Sequence, residues 1–357
     1  MAHYTGALLT ALAAAYPDDE WRVLLPRGTR APMPPGVREV SSWLPGRMLN
    51  GSAAVLRRPR ADRMLGGDLD VFWAPAPVPV AVSPEMPLVL TVHDRSWEQR
   101  PRDFTTYERA WHIAARPRAL ARRAIRVVCD AEVVRADLIE AWGLAPERVR
   151  AVPLAPAVRG EGVVRAGDQP YLLFVGALEP RKAPDVLLAA YARARASGLA
   201  AELWFVGDGR LAPVLQGPGV RRLGRVGDAE LAGLYAGALA LVLPSRLEGF
   251  GLPGVEALAQ GTPVIASDLP VLREVLGKGG AVFVEVGDEQ ALAHALVRVV
   301  QDVGLRDALV AAGREATAEL SWAATARATR AVLAEAAAAE PLASRCAPGA
   351  ARTADHP

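Results

Sequence analysis

The chain has 357 residues, 51% of them hydrophobic and 22% charged, a globular balance that excludes disorder and collagen-like repeats, and the length predicts about two domains. No apolar run approaches the roughly 18 residues needed to cross a bilayer, and no basic stretch precedes an apolar one at Met1, so neither a spanning segment nor a secretory signal is expected. Two cysteines, Cys129 and Cys346, cannot build a disulfide framework, which fits a reducing cytoplasm, and a formal net charge of +2 predicts no whole-chain attraction to nucleic acid.

In chain order, the pattern predicts a helix over 4–16, a strand over 21–25, a helix over 47–65 and strands over 70–74 and 88–93. A helix over 104–122, a strand over 125–129, a helix over 131–142 and a strand over 148–152 complete this half. Periodicity then fails over 152–169, where Pro153, Pro156, Gly160, Gly162 and Gly167 gather, the best linker in the chain. Six short apolar runs follow at 171–175, 202–206, 220–223, 239–243, 263–266 and 281–284, each short enough for a buried central strand. Helical patterns at 183–196, 228–236, 253–259 and 289–300 separate them, and a helix-prone stretch runs from about 311 to 340. The tail 341–357 is rich in Ala, Pro, Arg and Ser and is expected to be disordered. Alternation of this kind predicts an α/β fold with parallel sheets, and two such domains place a ligand cleft at the C-terminal ends of their strands.

The near-neutral total hides an asymmetry. Residues 1–160 hold 22 Arg, no Lys and 17 acidic residues, a net of +5; the remainder holds 19 basic and 22 acidic residues, a net of −3. Only Lys182 and Lys278 are lysine, so a lysine inside a motif stands out.

The most informative string is Leu243-Pro-Ser-Arg-Leu-Glu-Gly-Phe-Gly-Leu-Pro-Gly-Val-Glu256, continuing to Gly261-Thr-Pro-Val-Ile-Ala266. It reads as a buried strand, a Gly-rich turn and a short helix with Pro253 in its first turn. Gly249 and Gly251 let backbone amides approach a ligand, and the helix directs its positive end at the same place. A plain strand-to-helix turn with acidic residues near a helix start is the other reading. A second string, Tyr171-Leu-Leu-Phe-Val-Gly-Ala-Leu-Glu-Pro-Arg-Lys182, ends a strand with two cations suited to a diphosphate, or forms an ordinary solvated loop. A third, Leu88-Val-Leu-Thr-Val-His-Asp94, brings His93 and Asp94 to a strand end, as cleft residues or as a satisfied structural pair.

These strings resemble the signature of the family-four retaining glycosyltransferases, whose GT-B fold pairs two Rossmann-like domains. The resemblance covers about 4–338. It implies an N-terminal acceptor-side domain over 1–160, a nucleotide-sugar domain over 161–320, and a helix over 321–340 that crosses back onto the first. Glu248 and Glu256 match the family's glutamate pair. By resemblance, Glu256 holds the ribose hydroxyls of a nucleotide sugar, and Glu248 and His93 contact the transferred sugar. Lys182 and Arg181 bind the diphosphate beside Gly249, Phe250, Gly251 and Leu252, and Asp94 lies near the acceptor. Many members place the arginine directly after the turn glycine, where this chain has Ala177. The implied reaction needs no cofactor and no metal, the nucleoside-diphosphate sugar being a co-substrate, and Glu179-Pro-Arg-Lys182 points to a mannosyl- or rhamnosyl-type donor. The acceptor is expected to be a glycan or a lipid-linked molecule. Residues 95–126, with nine arginines and Trp97, Phe104, Tyr107 and Trp111, could face an anionic membrane at the inner leaflet or be a solvated helix. A nucleotide-sugar epimerase and an inactive nucleotide-sugar-binding protein stand as alternatives. The second is raised because family members open with a strand and a Gly-rich loop, whereas this sequence opens at the helix containing Tyr4; a strand and loop of roughly 10–15 residues are expected upstream.

Overall fold

A computed structural model describes residues 2–157, 169–277 and 279–339. The expected linker residues 158–168, Lys278 and the tail 341–357 lie outside the described residues. In the first half, β1 (Trp21–Arg27) pairs with β2 (Val37–Pro45) as a two-stranded parallel sheet. Next, β3 (Phe72–Ala74), β4 (Leu88–Thr91), β5 (Arg126–Cys129) and β6 (Val149–Ala151) form a second parallel sheet in that order. The second half contributes β7 (Tyr171–Val175), β8 (Glu202–Val206), β9 (Val220–Gly224), β10 (Ala240–Leu243), β11 (Val264–Ser267) and β12 (Ala281–Val284). Their order is β12-β11-β10-β7-β8-β9, all parallel. Every residue of β10 and β11 is buried, because helices cover both faces of a parallel sheet, and this is why these strands read as unbroken apolar runs.

In the first half, three longer segments differ from the pattern-based expectation. The helix expected over 47–65 is two helices, Gly46–Leu56 and Ala61–Met64, interrupted where Arg57 turns left-handed (φ 53°) ahead of Pro59. The helix expected over 104–122 is likewise split into Thr106–Ala115 and Pro117–Arg123 at Arg116 (φ 50°). In both, proline lacks the N–H that would continue the ladder and disfavours helical backbone just before it. Strand β2 was not expected at all. Only Ser42 and Leu44 along it are buried, so its apolar alternation is short and masked by Arg38 and Glu39.

The helix Trp322–Ala337, capped by the Ser321 hydroxyl, packs on the first half. Its Val332, Leu333 and Ala336 meet Val89, Ile125, Val128 and Val152, while Thr325 donates to the Pro153 carbonyl at 2.8 Å and Arg330 pairs with Asp19 at 2.7 Å.

The first half is divided. Between β1 and β3 lies a cavity of about 350 Å³, walled by Trp21, Val23 and Leu24 on one side and Phe72 and Trp73 on the other. The Trp21 indole N–H, buried, has no hydrogen-bond partner among the described residues. The family resemblance expects a strand inside this sheet, and among the described residues none lies between β1 and β3. In a parallel ladder successive amides point to opposite sides. Amide exchange along β1 should therefore alternate, with those bonded to β2 slower by about tenfold or more than those facing the cavity; uniform protection in residue-resolved NMR would contradict the split.

Candidate active site at the sheet ends

The strand order of the second half reverses between β7 and β10, and the ends of these two strands supply the residues that meet there. From β7 the chain runs through Gly176 to a short turn at Pro180–Lys182; from β10 it runs through Ser245 to Gly251. The Lys182 Nζ lies 2.6 Å from both Glu248 carboxylate oxygens, and the Ser245 hydroxyl donates to Oε1 at 2.7 Å. The pair is well shielded, with side-chain exposures of 16% and 5%. Arg246 knits the two turns: its N–H donates to the Arg181 carbonyl at 2.9 Å, and its guanidinium bonds to the Pro180 carbonyl and to Asp185. The Arg181 guanidinium, half-buried beside them, has no hydrogen bond or ion pair among the described residues.

Gly251 turns left-handed (φ 85°) to start the helix Leu252–Ala259, and a side chain there would collide with Leu272. Phe250 is buried and Leu252 half-buried around this start. Glu256, farther along the helix, is buried and accepts from the Tyr235 hydroxyl at 3.0 Å. Burial first, and then the Glu256 charge, hold the Tyr235 phenol well above its ordinary pKa. Glu248 and Glu256 thus have separate partners, Lys182 and Ser245 for one and Tyr235 for the other.

The first half presents three neighbouring strand ends. Pro75 follows β3, His93 lies just past β4, and Asp130 follows β5. His93 Nδ1 is 2.7 Å from Asp130 Oδ2, Nε2 is 3.2 Å from the Pro75 carbonyl, and the Tyr4 ring packs edge-on at 4.7 Å. Burial alone would lower the His93 pKa; the Asp130 charge and hydrogen bond, with help from Asp94, outweigh it and raise the value. Asp94 accepts from the Ser96 N–H at 2.8 Å, using its carboxylate to start the next short helix.

The two halves touch at this place. A Cβ on Gly249 would overlap the His93 carbonyl oxygen and lie 3.2 Å from the Asp94 Cβ. The structure therefore brings together Lys182, Glu248, Gly249, His93 and Asp94. Two further contacts close the halves. The Glu274 carboxylate accepts from the amides of Glu132 and Val133, both at 2.8 Å, and the Arg210 guanidinium bonds to the Asp103 carbonyl. Ser245, Tyr235, Asp130, Tyr4 and Glu274 were not singled out from sequence. Ser245 sat inside the most informative string and Asp130 directly follows an expected strand, whereas nothing local marks Tyr235 or Glu274.

Removing one member of a shielded ion pair leaves the other charge unpaired. Lys182→Ala is expected to lower unfolding free energy by about 3 kcal/mol, and adding Glu248→Gln to restore most of it. Urea denaturation of the two single variants and the double variant measures this; additive losses would contradict the coupling.

Comparison with known proteins follows the same division. Residues 1–155 match the family described as Glycosyltransferase Family 4, and residues 169–302 match the one described as Glycosyl transferases group 1. The chain is 32% identical over 325 residues to the phosphatidyl-myo-inositol mannosyltransferase of Mycobacterium leprae, covering 84% of each chain. It is 36% identical over 231 residues to the D-inositol 3-phosphate glycosyltransferase of Streptosporangium roseum, but that match spans 57% of this chain and only 53% of the relative. Among solved structures, the sucrose-phosphate synthase of Thermosynechococcus elongatus aligns with a TM-score of 0.73 at 20% identity, covering 93% of this chain and 92% of that one. Anabaena HepE, solved in complex with UDP and glucose, aligns at 0.69 and 17% identity, covering 92% and 96%. Both likenesses concern the fold, two Rossmann-like α/β domains in the GT-B arrangement. The chain belongs to the family-four glycosyltransferases.

Proposed function

We propose that the protein moves a hexosyl group from a nucleoside-diphosphate sugar to an acceptor hydroxyl, with retention at the anomeric carbon and no metal. The observation that carries this reading is the shielded Lys182–Glu248 pair at the β7–β10 reversal, facing the His93–Asp94 strand end. The bond from the anomeric carbon to the diphosphate breaks, and the acceptor oxygen bonds to that carbon from the same face. The acceptor's proton goes to an oxygen of the departing diphosphate. The cost lies in separating charge between an oxocarbenium-like sugar and the diphosphate, so pre-oriented donors matter most. Arg181 meets the diphosphate with its unengaged guanidinium, and Lys182 joins it by exchanging Glu248 for phosphate. That exchange frees Glu248 for the sugar hydroxyls. The backbone of Gly249, Gly251 and Leu252, around the helix start propped by Phe250, completes the anion cradle. Glu256, oriented by Tyr235, takes the ribose hydroxyls, and Asp94 borders the acceptor. The Glu179-Pro-Arg-Lys182 turn and the likeness to a mannosyltransferase support a mannosyl-type donor.

A second reading is a nucleotide-sugar-binding protein without turnover, because the donor-facing residues Lys182, Glu248 and Glu256 all belong to the second half and suffice for binding. Saturation-transfer NMR with a panel of nucleotide sugars, followed by transfer assays with the donor that binds, separates the two. Under the first reading, Arg181→Ala and Glu248→Gln each lower transfer by about 10²–10³-fold while circular dichroism stays unchanged. Wild-type rates in both variants would sink the site assignment.

For the peripheral membrane contact expected over 95–126, we propose a different face as the better candidate. Within 95–126, Arg95, Arg100, Arg118, Arg123 and Arg126 are already engaged by carboxylates or carbonyls of the same chain. The exposed apolar side chains Trp43, Met48 and Leu56 share a groove with Arg58 and Arg63. Apolar groups ringed by arginine suit an anionic lipid surface presenting a lipid-linked acceptor. No helix among the described residues is long and apolar enough to cross a membrane. Co-sedimentation with anionic vesicles is expected to fall in Trp43→Ser/Leu56→Ser; equal binding to neutral vesicles would argue against this face.

A further inference from the structure

The His93 ring sits between two groups that can only accept hydrogen bonds. Asp130 Oδ2 stands 2.7 Å from Nδ1, and the Pro75 carbonyl oxygen stands 3.2 Å from Nε2. A carbonyl has no proton to give, so Nε2 must carry one to make that contact; an ionised carboxylate has none either, so Nδ1 must carry one as well. A neutral imidazole has a single N–H and leaves one of the two contacts as acceptor against acceptor. The imidazolium facing an ionised Asp130 satisfies both contacts; burial pushes the Asp130 carboxyl up while His93 holds it down, and a protonated Asp130 donating to a neutral ring is the competing state that the test below distinguishes.

Three strand ends in one parallel sheet produce it. Thr91 of β4 is in register with Val128 of β5, and Leu90 with Ala74 of β3, so the residues just past each strand fall in one row. Asp130 has no freedom in that row. It is 2% exposed, follows β5 directly, and its other oxygen, Oδ1, has no hydrogen-bond partner among the described residues. A buried carboxylate with one unpartnered oxygen is costly; the ring cation is the partner that offsets it. The Tyr4 ring at 4.7 Å, edge-on, blocks rotation from the side of the first helix. The charged side chains near the ring among the described residues are Asp130 and Asp94, both acidic.

We propose that Asp130 is a positioning residue that holds His93 as a fixed imidazolium whose two N–H groups are both spent inside the protein, so that His93 serves the site through its charge and its main chain and never as a proton acceptor. The second effect is on the main chain: with the ring anchored, the His93 carbonyl stands where it meets the Gly249 turn, which sets how closely the two domains approach. This inference rests on the glycosyl-transfer reading for its kinetic part and on the ring geometry alone for its charge state. Under that reading no step draws a proton to His93, which agrees with the acceptor's proton leaving on the diphosphate.

The test uses the full chain with ¹⁵N-labelled histidine, one of five in the sequence, the His93 signals being assigned by their loss in His93→Gln. At pH 7.5 the wild type is expected to show both His93 nitrogens protonated, and Asp130→Asn to show a neutral ring. The same variant is expected to lose kcat by about 10²-fold through misplacement, with the donor KM within about twofold. A neutral ring in the wild type, an unchanged imidazolium in Asp130→Asn, or a neutral ring there with wild-type kcat would each overturn the proposal. Should Asp130→Asn not fold, a pH titration of the wild type decides. A ring that loses its proton near the ordinary histidine value of about 6.5 overturns it, and one still protonated at pH 7.5 upholds it. Absence of transfer from every donor tried would sink the proposed function, while the ring signals would still decide the charge state of His93.

Discussion

Everything at the candidate site is arranged around one shielded ion pair, Lys182 with Glu248, at the point where the second sheet reverses its strand order. Two unit charges held this far from water are tolerable only while they face each other. The pair therefore fixes the relative position of two turns that are 66 residues apart in sequence, and Ser245 and Arg246 reinforce the same join. It also leaves the pair electrically balanced, with the Arg181 guanidinium, unpaired among the described residues, as the uncompensated charge beside it. Under the proposed function, a diphosphate competes for the lysine with more charge than a carboxylate offers, and the exchange releases the glutamate toward the sugar.

The opposing wall is built by a different rule. Its residues come from consecutive strand ends of one sheet, so their spacing is set by backbone register rather than by side-chain pairing across a turn. The wall inherits whatever rigidity that sheet has, and β3, which carries Pro75, is its edge strand among the described residues. One wall thus takes its order from an ion pair and the other from a row of strands.

Much of this was legible in the residues. The alternating runs gave the α/β class and the strands of the second half nearly to the residue, because a parallel sheet covered on both faces must be apolar throughout. The motif strings gave Lys182, Arg181, Glu248, Glu256, His93 and Asp94. Strand β2 was hidden because half of it lies exposed and carries Arg38 and Glu39. Helix breaks at Arg57 and Arg116 were hidden because arginine is a good helix former, and only the proline behind each one signals the interruption. Asp130, Tyr235 and Glu274 act through partners distant in sequence, and no local pattern encodes a contact of that kind. The basic character of residues 95–126 looked like a surface feature; most of it is consumed by internal carboxylates and carbonyls, since an arginine-rich chain uses arginine for structural bonds as well.

The contact of Glu274 with the start of the helix Glu132–Trp142 has a consequence for how the halves move. Its carboxylate rests on two amides that no helical carbonyl can reach, where the helix also carries partial positive charge. When the halves separate, both sides of that contact meet water, which solvates a free carboxylate and free amides well. Such a join contributes only about 0.3–1 kcal/mol when it is exposed. The latch is therefore soft: it joins the halves while costing little to open, as the proposed function asks of a cleft that admits two substrates and releases two products.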